Sequence, residues 1–183
     1  MSALPVAPSG LRGLLPWLAI AAAVIVLDQA TKAVVQSALA PGGRVPVIPF
    51  LDLVLVFNTG AAFSFLADAS GWQRGFFVAV ALGASALIVH LLRRHAGERL
   101  FCTALGLVLG GAIGNLWDRI VLGHVVDFVL LHAHGYHFPA FNVADSAITV
   151  GAALVIVCLS GRGDKDAPQV RDILRARDDR TDA

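Results

Sequence analysis

Residues 100–117 read LFCTALGLVLGGAIGNLW, eighteen positions without an Asp, Glu, Lys or Arg, and Asp118 and Arg119 follow at once. A helix needs about 20 mostly apolar residues to cross about 30 Å of hydrocarbon, so this stretch predicts a membrane span that ends in charge. Working outward, residues 75–92 form a second charge-free run, and residues 146–161 a third, extended by Phe141 to Asp145. Leu14 to Leu27 is equally apolar, but Asp28 and Lys32 interrupt its continuation to Val35. Read alone, this first run also resembles a secretory leader. The three further spans favour a membrane helix instead, and the expected spans are 14–35, 75–92, 100–122 and 141–160.

The composition agrees. Of 183 residues 57% are apolar and 15% charged, against about 25% charged in a soluble domain. Mean hydropathy is +0.74. Lipid is therefore the expected solvent, and a net charge of +1 gives no electrostatic reason to expect nucleic acid as a partner. Cys102 and Cys158 lie in apolar runs without metal-type spacing and read as packing residues, not as a disulfide or zinc site.

Basic residues orient the chain. Arg12, Arg93, Arg94, Arg99, Arg162, Lys165, Arg171, Arg175, Arg177 and Arg180 fall on one side, whereas the opposite loops hold Arg44 and Arg74. Both termini are expected in the cytoplasm. The outer segment 44–68 contains Val45–Ile48 and Leu53–Val56, β-branched stretches bounded by Pro and Gly, which predict a small β-structured periplasmic element. The fold class expected is an all-α membrane protein: four transmembrane helices with that element between helices 1 and 2. Residues 1–161 form the transmembrane domain, and residues 162–183 a charged, solvated cytoplasmic tail.

Ionisable groups inside spans are costly, so each is a functional candidate. At a rise of about 1.5 Å per residue, Asp28 lies about 21 Å above Leu14, and Asn115 and Arg119 about 22 and 28 Å above Leu100. Lys32 stands one turn beyond Asp28 on the same face. Asp127 follows the third helix, and Asn142 and Asp145 open the fourth. The polar residues thus converge on the outer boundary of the bilayer. Asp28 with Lys32 fits either a structural ion pair or a substrate-facing pair. Asp118 is read as an interfacial charge, because it points to a different side from Arg119. Gly106, Gly110 and Gly114, with Gly111 beside them, read as a helix-packing stripe. Asp127 and Asp145 flank one outer loop without a local cation. Two carboxylates meeting in a partly dry site share a proton, and the resulting acid and base suit peptide hydrolysis. His132, His134 and His137 form an HxHxxH cluster with His124 nearby; a metal centre there is the less favoured reading. The motifs of serine hydrolases, zincins, P-loops and dinucleotide folds are absent from the sequence.

Five ordered blocks carry a resemblance. They are Asp28–Lys32 (DQATK), Phe57–Ser64 (FNTGAAFS), Gly110–Arg119 (GGAIGNLWDR), Val125–Phe128 (VVDF) and Phe138–Ala147 (FPAFNVADSA). In this order they resemble the signal peptidase II family, the bacterial membrane aspartic proteases that process lipoproteins. The resemblance implies Asp127 and Asp145 as the catalytic dyad. It implies that Asp28, Lys32, Asn58, Asn115, Arg119 and Asn142 shape or support the site, and Gly111 is grouped with them. The substrate implied is a prolipoprotein cut just before a diacylglyceryl-modified Cys, at the depth where the polar residues converge. Phe57, Phe63 and Phe65 would then face lipid or substrate. The dyad itself activates water, so no metal or cofactor is expected, and the enzyme would act as a monomer among membrane lipids in the inner membrane, its site facing the periplasm. The His-rich loop and the charged tail match no family motif. The alternatives are a small proton- or ion-coupled transporter, which would spread polar residues through the full thickness of the membrane, and a structural subunit, which leaves both aspartates without a role.

Overall fold

The computed structural model describes residues 11–60 and 72–161. Helix α1 (Leu11–Ala38) is followed by strands β1 (Arg44–Ile48) and β2 (Leu51–Asn58). Helices α2 (Trp72–Arg94) and α3 (Arg99–Val121), strands β3 (Val125–Ala133) and β4 (Tyr136–His137), and helix α4 (Val143–Gly161) complete the order. All four helices are long and apolar enough to cross a membrane. The fourth begins two residues later than its sequence pattern suggests, because Asn142 caps it from outside. The tail 162–183 and the expectations for Phe63, Phe65 and the rest of the segment 61–68 lie outside the described residues.

Between apolar helices in lipid there is little hydrophobic drive, so close packing decides the contacts. Helix α3 is central, and glycine lets its neighbours approach. A Cβ on Gly110 would lie 2.7 Å from the Ala21 carbonyl of α1, and one on Gly111 would collide with the Ala144 carbonyl and the Ile148 side chain of α4. One end of the bundle is filled by Leu14, Ala21, Ile88, Leu92, Phe101, Cys102, Leu105 and Leu109.

The sheet is larger than the sequence reading. It is antiparallel in the order β1-β2-β3-β4, so the segment between α3 and α4, expected as a loop, supplies half its strands. The physical reason is the run Val125–Leu131, apolar except for Asp127, which pairs with β2. Gly123, at φ 85°, ends α3 and turns the chain back. The β3–β4 turn, His134–Gly135, has both central residues at positive φ, as a two-residue primed hairpin demands. Leu55, Val126 and Phe128 pack on Val35 of α1 and Val143 of α4, fixing the sheet to one end of the bundle.

Gly111→Ala should force α3 and α4 apart and lower stability by about 1–3 kcal/mol, the usual cost of overpacking. Gly75→Ala on α2, where a Cβ meets nothing within 4 Å, should be neutral or slightly stabilising. Thermal unfolding of both variants in detergent checks this pair.

Candidate active site

Asp145 stands in the first turn of α4, whose free backbone N–H groups need partners. Asn142 meets one of them: its Oδ1 accepts from the Asp145 N–H at 2.9 Å, and Asp145 Oδ2 accepts from the Asn142 N–H at 3.3 Å. This is a reciprocal capping box, and it locks the Asp145 backbone and carboxylate together. Asp127 reaches the same place from β3. There the pairing of Leu53 with Val129 and of Val56 with Asp127 sets Val54 and Leu55 against Phe128 alone. Such a bulge re-aims neighbouring side chains.

Asn142 joins the two aspartates, because its Nδ2 donates to Asp127 Oδ1 at 2.7 Å. Two other amides complete the frame. Asn58 Nδ2 donates to Asp127 Oδ2 at 3.0 Å, and Asn115 Nδ2 donates to Asp145 Oδ1 at 2.7 Å. Each amide is held one way round by an obligatory donor on its oxygen: the Gly60 N–H on Asn58, Lys32 Nζ on Asn115 and the Asp145 N–H on Asn142. Their NH₂ groups must therefore face the carboxylates.

Behind this layer lie Asp28, Lys32 and Asp118, each at most 1% exposed. Lys32 Nζ is 2.7 Å from Asp28 Oδ2 and 2.8 Å from Asp118 Oδ2. Asp28 Oδ1 accepts the Ala144 N–H of α4 at 2.9 Å, and Gln29 Nε2 donates to Asp118 at 2.9 Å. The Asp28–Lys32 pair is thus structural. Asp118 is not the interfacial charge its adjacency to Arg119 suggested. Its spacing of three from Asn115 was the informative signal, since that places both on one helix face. Gln29 was missed because an uncharged amide in a span raises no alarm by itself.

Arg119 donates to the Asn115 carbonyl at 3.2 Å and lies over the Phe77 ring, 5.0 Å from its centroid. It supports the helix end without an ion pair to either aspartate. Phe57 is half-exposed and packs on His124, with ring centroids 4.4 Å apart. Of the histidine cluster, His132 stacks on His137 and binds Asp52 Oδ2 at 3.1 Å, and Arg44 pairs with the same carboxylate. Burial pushes the Asp52 carboxyl up, but the hydrogen bonds from His132 and Arg44 overcome it and hold it below its ordinary value. This triad ties β1, β2 and β3 together, and sequence reading had passed over Asp52. Among the described residues no three His, Cys, Asp or Glu side chains come close enough to hold a metal.

Asp127 is 2% exposed, whereas Asp145 opens into a cavity of about 400 Å³ lined also by Leu131, Phe138, Phe141, Thr149 and Val150. Burial pushes the Asp127 carboxyl up to about 6; the Asn58 and Asn142 hydrogen bonds oppose this, and the charge of Asp145 adds to it. Two carboxylates joined through amides, one dry and one facing an apolar groove, can hold a single proton and act on a water molecule.

The chain resembles known proteins along most of its length. Residues 20–160 match the family model for signal peptidase (SPase) II. The lipoprotein signal peptidase of Janthinobacterium sp. (strain Marseille) is 54% identical over 148 residues, covering 81% of this chain and 90% of that protein. The one from Cupriavidus necator is 58% identical over 141 residues, covering 77% and 81%. A bacterial membrane enzyme solved by the in meso method at 1.9 Å superposes with a TM-score of 0.71 at 34% identity, covering 79% of this chain and 92% of the solved one. The geometry and these likenesses agree, and the chain belongs to the signal peptidase II family.

Proposed function

We propose that this chain is an aspartic endopeptidase of the bacterial inner membrane that removes signal peptides from prolipoproteins, cutting before a diacylglyceryl-modified Cys. The observation that carries the reading is the pair Asp127 and Asp145, joined through Asn142 beside an apolar groove. One carboxylate of the pair takes a proton from water, and the other, protonated, hydrogen-bonds the scissile carbonyl. The same proton then serves the departing amine. The pair titrates as a unit.

Asn58, Asn115 and Asn142 orient the dyad. Asp28, Lys32, Gly111 and Arg119 support it from behind and beside. The lipid chains of the substrate stay in the outer leaflet, where the groove beside Asp145 descends along Thr149 and Val150 of α4. Val150 lies eight residues, about 12 Å, below the cap of that helix. Both termini are cytoplasmic and the site faces the periplasm. Residues 1–161 form the peptidase domain, which works as a monomer among membrane lipids, and the charged tail is separate from it. The transporter reading gains nothing: among the described residues the spans' buried charges, Asp28, Lys32 and Asp118, are spent on one another, and helix caps, at a single depth.

Asp127→Asn and Asp145→Asn should each lower kcat by roughly 10²–10⁴-fold with little change in KM. The assay uses purified protein, without added metal, and a diacylglyceryl-modified prolipoprotein beside an unmodified control. Full activity in either variant would remove the dyad, and equal cleavage of the unmodified control would remove the lipid requirement.

Activity should also fall as pH rises above about 6, where Asp127 loses its proton. Asn58 favours the ionised form of Asp127, so Asn58→Ala should raise that pKa and move the alkaline limb upward. A pH profile of kcat/KM checks the direction, and a downward move would contradict the role given to Asn58.

A further inference from the structure

We infer that Asp118 is a positioning residue for the reaction: it fixes the backbone just before Asp127, as Asp28 fixes the backbone just before Asp145, and the one ammonium of Lys32 ties the two carboxylates together. The inference rests on the reading of Asp127 and Asp145 as that dyad.

The geometry is matched on the two sides. Asp118 Oδ2 accepts the Val126 N–H at 3.2 Å, and Asp28 Oδ1 accepts the Ala144 N–H at 2.9 Å. Val126 immediately precedes Asp127, and Ala144 immediately precedes Asp145. Each aspartate thus follows a residue whose backbone is held by a buried carboxylate from a different helix: α3 for β3, and α1 for α4. The two carboxylates are joined twice, by Lys32 Nζ at 2.8 and 2.7 Å and by Gln29 Nε2 at 2.9 and 3.2 Å.

Charge is what this task requires. Bonds from N–H to an ionised carboxylate are shorter and stronger than neutral ones, and a shared cation makes the position of one carboxylate depend on the other. The separation of the dyad is then set by one compact cluster, not by the chain between β3 and α4. Small misplacements of reacting groups are expensive: about 1 Å can cost roughly 10²-fold in rate. Neither Asp118 nor Asp28 lines the groove beside Asp145, so their loss reaches the chemistry and leaves substrate binding in place.

The test compares Asp118→Asn, which keeps an acceptor oxygen for the Val126 N–H, with Asp118→Ala, which does not. Rates are measured per folded molecule on a diacylglyceryl-modified prolipoprotein peptide. The expected result is a graded loss of kcat, about tenfold and then about a hundredfold, with KM within about twofold of the parent. A merely structural residue would lower thermal stability and yield but leave kcat per folded molecule unchanged, and that result overturns the inference. Gln29→Leu, which removes a neutral bridge between the carboxylates, decides the matter if the Asp118 variants do not fold. A severalfold loss of kcat at unchanged KM supports the inference, and the parent kcat overturns it. Asp127→Asn and Asp145→Asn run in the same assay separate the two failures. Their inactivity beside a fully active Asp118→Ala would reject only the positioning role, whereas their activity would reject the dyad itself.

Discussion

A single ammonium group, Lys32 Nζ, lies between two buried carboxylates, and much of the sheet-bearing end of the molecule packs around that cluster. One ammonium faces two carboxylates in a place where an unpaired polar group is costly. The carboxylates are also met by backbone dipoles: the first turn of α4 presents the Ala144 N–H to Asp28, and the start of β3 presents the Val126 N–H to Asp118. Breaking such a buried pair by removing one partner costs about 3–5 kcal/mol, because the survivor stays buried and uncompensated. The glycines of α3 belong to the same constraint. A Cβ on Gly114 would come within 2.8 Å of Asp28 Oδ2, so the helix leaves room for the charge as well as for its neighbours.

The sheet solves a second problem. Non-helical backbone near hydrocarbon must find its hydrogen bonds within the protein, yet the site needs a carboxylate that no helix of the bundle supplies. Strand β3 brings it, satisfied along its length by β2 and by the Phe141 bridge. The bulge in β2 adjusts the register so that Asn58, at the end of that strand, meets Asp127. On one side Val35 of α1 and Val143 of α4 anchor this sheet, and on another Asp52 clamps Arg44 and His132. The position of Asp127 thus depends on packing at two places remote from it in sequence.

The four helices were legible because missing charge is a one-dimensional signal: a run without Asp, Glu, Lys or Arg can be read directly from the chain. The helical pair Asn115 and Arg119 was legible for the same reason, through a fixed spacing of four. Asp118 was misread because its nearest neighbour in sequence was weighed instead of its neighbour on the helix face. Strand β3 was not legible as a strand. Val125–Leu131 is apolar on both faces apart from Asp127, so it lacks the alternation that marks a half-exposed strand, and its partner β2 lies almost seventy residues earlier. Asp52 was invisible for a related reason, since only the sheet brings Arg44 and His132 to it.

The hydrogen bonds to the carboxylates of the two proposed catalytic aspartates are equal in number, and this sharpens the question of what distinguishes them. Each of the four carboxylate oxygens receives one N–H: Asp127 from Asn142 and Asn58, Asp145 from Asn115 and the Asn142 backbone. An ionised carboxylate has about four lone-pair sites, so each aspartate keeps about two for a proton, for water or for its partner. Counting donors does not choose between them. Surroundings do: Asp127 is 2% exposed behind Asn58 and Asn142, while Asp145 borders the groove. Burial disfavours the charged form, so if the pair shares a single proton as proposed, the more enclosed Asp127 is its favoured seat and the carboxylate of Asp145 beside the groove is the one placed to meet water. Glutamine in place of the three asparagines would add a rotatable bond to each amide and loosen this arrangement. The short side chain, pinned at its oxygen, keeps the donors aimed while the proton moves.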